Sequence, residues 1–296
     1  GNLGPTDGFT TYGIGAVSEA ALENSGNKID NMTVAGIAAS NLIEHAYLVN
    51  NRLDHCGYRP PTSDATSIAA TTAVGAGIFI ISVLGDLTLQ SSQIINTGIS
   101  RQGEVAATAA FWGIAIGLVL SCDVTQNHVF YSDTEAVAQM NLTPAHRSLL
   151  LLGRFAPTNV DVRFPQIGNA MVNDNIFQGI GLPHLVEFLR NPNEPRVGFE
   201  QVNFSQNQCF HLRSQTSQPP TDFISSRQGN ATVVTWGRHL VVMGNQVKAA
   251  DNPNFISINL SNPERVTVMG NIASGSIINF GSGVTPPNPG DFNVYP

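Results

Sequence analysis

Cleavage of a glycosidic bond takes two carboxyl groups about 5–10 Å apart, one to protonate the leaving oxygen and one to act as base or nucleophile. Two local groups qualify by residue type: Asp54-His55 with Asp64 downstream, and Asp133 with Glu135. Glu187 stands between apolar Val186 and Phe188, the pattern of a strand residue facing away from its neighbours. Asp86 and Asp123 open equivalent segments, but one position out of register, which argues against a shared metal ion. Sugar recognition uses flat aromatic faces and forked donors; Trp112, Arg101 and the Arg238-His239 pair after Trp236 provide those groups beside predicted loops. The bland alternatives are solvated loop acids and a Trp236 that fills the core. Cys122 and Cys209 fall at inward positions and Cys56 in a loop, which suits neither a disulfide framework nor a metal site, and no cofactor is expected.

Whatever positions these groups is written in a phrase that recurs seven times: apolar, any, apolar, any, polar or Gly, Asn, any, small or apolar. Its copies are Ala46-Tyr-Leu48-Val-Asn-Asn51-Arg-Leu53, then 87–94 with Ser92 in place of Asn, then 122–129, 170–177, 202–209, 240–247 and 266–273. Alternation over the first three positions is strand chemistry. The next two positions are turn chemistry, and Asn tolerates the left-handed backbone region, so the chain bends there and a second strand follows. Stacked repeats align Asn51, Ser92, Asn127, Asn175, Asn207, Asn245 and Asn271 as a ladder, about 4.8 Å between rungs, each amide donating to the next.

An apolar strand candidate precedes each phrase: 37–39, 78–80, 114–116, 149–151, 186–188, 234–236 and 256–258. Prolines fall between the proposed strands, as they must if those strands are interior. Three strands per turn with one Asn corner resembles the right-handed parallel β-helix of the pectate-lyase-like superfamily, over residues from about 33 to 280. The expected fold is therefore all-β, a single-chain solenoid of about seven three-strand coils.

The resemblance implies that an enzyme of this kind would carry its acids on the upstream strands and adjoining loops. The outward column expected there is Ala38, Phe79, Ala115, Leu150, Glu187, Thr235 and Ser257, which holds one carboxylate. The Asn-x-Asp, Asp-Asp and Gly-His-Gly signatures of polygalacturonase-like members are absent from these strands. Bacterial β-helix domains with Met-Gly-Asn corners are similar to 243–245 and 269–271, and belong to surface or phage-tail-like assemblies.

Charged residues make up 12% of the 296 residues, against roughly 25% in ordinary soluble domains. Asn, Ser, Thr and Gly supply the polarity, as in extracellular or virion-surface β proteins. A net charge of −7 with only two lysines, Lys28 and Lys248, disfavours nucleic acid. No apolar run is long enough to span a membrane.

Residues 1–32 read as an extension with a short capping helix over 17–23, N-capped by Ser18. Residues 33–280 read as the solenoid, and 281–296 as a Pro-rich tail anchored by Phe292 and Tyr295. The Asn positions lie 41, 35, 48, 32, 38 and 26 residues apart, against roughly 20–25 for a bare coil, so insertions flank the upstream strand. The expected function is a non-catalytic module showing loops to a polysaccharide or a protein subunit. The competing readings are a lyase or glycoside hydrolase built on loop acids, and a homo-oligomer that buries Phe79 and Leu150.

Overall fold

A computed structural model of the chain describes residues 12–57, 74–99, 110–131, 147–153, 167–180, 185–189, 198–212, 222–226, 239–249, 256–260, 265–273 and 276–280. Among these there are strands and no helix. All pairing between the strands is parallel. One sheet has fifteen strands and the other eight.

The larger sheet contains two rows, fused because Val74–Gln90 and Ala110–Thr125 run through both. The first row includes Tyr12–Val17, Ala35–Ser40, Arg147–Gly153, Val186–Leu189, Asp222–Ser226, Ile256–Leu260 and Ser276–Phe280. The second carries the first half of each phrase, from Ala21–Ser25 to Arg265–Met269. The eight-stranded sheet is the third row, from Lys28–Asp30 to Ile272–Ala273, and holds the residues after each Asn. Each repeat thus adds strands to the same rows.

Inward residues of all three rows form one core. Leu48, Leu89, Val124, Val172, Phe204 and Val242 are fully buried in the second row, against Leu53, Val129, Phe177 and Cys209 of the third. Phe204 stacks on Phe177 at 6.1 Å and meets Phe188 edge-on at 6.0 Å. Such pairs contribute about 0.5–1.5 kcal/mol beyond area burial. Cys56, expected in a loop, is also in the core, because the corner after Arg52–Asp54 turns it inward. The apolar surroundings raise its thiol pKa to about 11, and those of Cys122 and Cys209 further still.

The corner works differently from the sequence expectation. The residue before the Asn, not the Asn, takes the left-handed conformation: φ is 55° at Asn50, 58° at Gln126, 56° at Asp174, and 66° and 64° at Gly244 and Gly270. Bending one residue earlier turns the following side chain inward, where it is buried. The main-chain N–H of Asn127 donates to Asn175 Oδ1 at 2.9 Å, and the same bond links Asn175 to Asn207, Asn207 to Asn245, and Asn245 to Asn271 at 2.9–3.0 Å. Each Nδ2 donates forward to that oxygen and back to a carbonyl of the preceding repeat, as Asn175 does to Val124 O at 2.8 Å. At Ser92 the hydroxyl accepts from Asn51 N–H and donates to its own strand at Gln90 O.

Three further expectations are corrected. Residues 17–23 are not a helix: Ser18 sits at φ 57° and Ala21–Ser25 is a strand paired with His45–Val49. Good helix formers yield here because a row of unpaired strand N–H and C=O groups lies beside them. The result is an eighth repeat, with Asn27 donating to Asn51 Oδ1 at 3.1 Å. Between Val186–Leu189 and Ile256–Leu260 the first row takes Asp222–Ser226; the expected strand 234–236 lies outside the described residues. Within 147–153 the register is one residue off: Leu150 aligns with Ile114 and Val186 in the core, and Leu151 joins the outward column.

A second column had no counterpart in the phrase. Gly13, Gly36, Gly77 and Gly113 occupy one register of the first row. A Cβ on Gly77 would lie 2.5 Å from Ile94 Cγ2 and 2.7 Å from the Gly113 carbonyl oxygen. The first row therefore approaches the third closely enough to exclude any side chain.

Candidate functional site

The register of the first row aligns Ala38, Phe79, Ala115, Leu151, Glu187, Ser225, Asn259 and Asn279 in one column. Ser225 and Asn259 take the places expected for Thr235 and Ser257. Thr235 lies outside the described residues. The first five members are 0% exposed within the single chain, Glu187 included. The first four pack with Ala35, Ala76, Ile81 and Trp112 into a second apolar cluster, separate from the core. Trp112 is 5% exposed, so its ring is packing surface and not a platform for sugar. Phe79 and Leu150 are buried in one chain already and have no surface for a second copy.

The outer face of the second row is open. Its central column runs Glu23, Tyr47, Thr88, Asp123, Met171, Asn203, Val241 and Thr267, with Tyr47 44% and Met171 49% exposed. His45 Nε2 meets Glu23 Oε1 at 3.2 Å, and His45 pairs in register with Asp86. Asp86 lies opposite Ser121 while Asp123 lies opposite Thr88, so the two carboxylates sit diagonally on neighbouring strands. Thr125 Oγ1 donates to Asp123 Oδ1. His239 Nε2 bonds Thr267 Oγ1 at 3.2 Å, tying it to the sheet surface.

Asp54 ends a third-row strand with both carboxylate oxygens engaged. His55 Nδ1 is 2.6 Å from Oδ1 and Arg52 Nη2 is 3.4 Å from Oδ2. His55 holds φ 52°, so this contact braces a corner. The other candidates, Asp64, Asp133, Glu135, Arg101 and Arg238, lie outside the described residues, as do most of the expected insertions. Among the described residues no three His, Cys, Asp or Glu are grouped to hold a metal ion.

Sequence reasoning missed Asn27 as a rung and the Glu23–His45–Asp86 line. The signal for both was the Gly26-Asn27 pair with Leu22 and Ile29 around it, the same corner as Gly244-Asn245. No protein-family model matches the chain, and no curated protein or solved structure gives a significant match.

Proposed function

We propose that the chain is a right-handed parallel β-helix of pectate-lyase-like architecture that serves as a non-catalytic binding and structural module. It shows its open second-row face and inserted loops to a polysaccharide or a protein subunit, as part of an extracellular, cell-surface or virion assembly. One observation carries the reading. From Ala38 to Glu187 the outward column of the first row, where enzymes of the resembled superfamily would hold their acids, is fully buried, and Glu187 is its single polar member over that stretch. A polymer has no access to these five positions, and Glu187 stands in register between Leu151 and Ser225.

The test is a depolymerisation screen on uronic-acid and neutral polysaccharides, with and without calcium, followed by new reducing ends and by absorbance of unsaturated products. No turnover is the expected result. Turnover abolished by Asp54→Asn or Asp133→Asn replaces this reading with a loop-acid lyase or hydrolase.

A further inference from the structure

At the bend between the first and second rows, Leu42 pairs with Val83 and Val83 with Val119, all pointing inward. Ile43, Leu84 and Leu120 follow them in successive repeats; Ile43 is in step with Leu84, and a register shift between Val83 and Asp86 sets one extra residue beside Leu120. Ile43 is 56% and Leu120 48% exposed, and Leu84 is half-buried. Aliphatics gathered on neighbouring strands of a surface are costly to leave in water and mark contact sites. Beside this stripe run exposed Glu44, Asp86 and Asp123. The nearby cationic candidate, His45, is engaged by Glu23 at 3.2 Å.

We propose that this stripe docks a partner protein through an amphipathic helix whose apolar face is edged by Lys and Arg. Steps of three and four residues along a helix rise about 4.5 and 6 Å, bracketing the ~4.8 Å between strands. A helix lying along the stack thus sets one apolar residue on each repeat. The acids select the basic edge and speed encounter. A second copy of this chain is disfavoured, because a two-fold contact would set the same acids against each other. An added peptide strand is disfavoured as well, since His45–Val49 already has strands on both sides.

The proposal names the partner class for the display reading above, yet the two fail separately: depolymerase activity overturns that reading and leaves peptide affinity untouched. The probe is a labelled helical Leu/Lys amphipathic peptide titrated with the full chain by fluorescence anisotropy, with a Leu/Glu peptide of the same pattern as reference. The expected result is binding of the Leu/Lys peptide at least about tenfold tighter than the reference, weakened several-fold by Leu120→Asp and by Asp86→Lys. Met269→Asp, at the far end of the same face and 40% exposed in the native chain, should change nothing. Equal binding of both peptides, indifference to Leu120→Asp and Asp86→Lys, or an equal loss in Met269→Asp overturns the proposal. So does sedimentation with phosphatidylserine vesicles that Leu120→Asp abolishes, which would assign the stripe to a membrane surface.

Discussion

At Asn175 a single amide does three jobs, and its removal should show in stability. Asn175 receives two bonds from Asn127 at Oδ1, and its Nδ2 serves Asn207 Oδ1 and Val124 O. Asn175→Leu leaves those buried groups unpaired and should cost about 1–3 kcal/mol in urea unfolding; an unchanged midpoint would contradict it. The reverse change is available at Ser92, whose hydroxyl lacks the backward donor. Ser92→Asn should raise stability by about 0.5–1.5 kcal/mol, read as a higher melting temperature. His128 offers a pH test. Burial holds its pKa below the ordinary 6.5, against the opposing hydrogen bond of Gln178. The unfolded chain then takes the proton first, so stability should fall as pH drops through 6.5, and His128→Gln should flatten that fall. The Asn column was legible because seven copies share their apolar flanks. Asn27 was not, because Asn24 stands where the other copies carry an apolar residue.

At the scale of elements, alternation and the proline positions were enough to place the second and third rows. The first row was harder. Leu149 to Leu152 are all apolar, so nothing in the pattern distinguishes the two faces; only pairing with Ile114 and Val186 settles it. Asp222–Ser226, where the sequence offered no strand candidate, becomes a strand between two waiting neighbours. The helix expected at 17–23 failed for the same reason, local preference overridden by an adjacent strand. None of these three could be seen from residue type, since the deciding partner is a repeat away. The glycine column sets the spacing of the first row from the third. Gly77→Ala should cost about 1–3 kcal/mol by overpacking against Ile94 and the Gly113 carbonyl, measured by denaturant titration. Gly15→Ala, whose Cβ would meet Tyr12 at an ordinary 3.8 Å, is the control for the loss of glycine alone.

For the whole molecule, buried area accumulates repeat by repeat, so stability should scale with repeat number. Removing residues 176–207 joins Asn175 to Gln208 and keeps every phrase in step. The shortened chain should retain its β circular dichroism and melt at a lower temperature; loss of the β signal would show that the deleted repeat was indispensable. The sequence carried the parallel stacking of strands more fully than the outward faces, because inward positions recur from repeat to repeat and outward ones do not. Successive rungs bond one to the next across 24, 41, 35, 48, 32, 38 and 26 residues of chain. The same corner bond thus recurs at every turn, whatever length of chain lies between. Spans between rungs should therefore accept lengthening, trimming or exchange with their neighbours' corners kept, as a melting temperature unchanged by a spacer inserted in 58–73 would show.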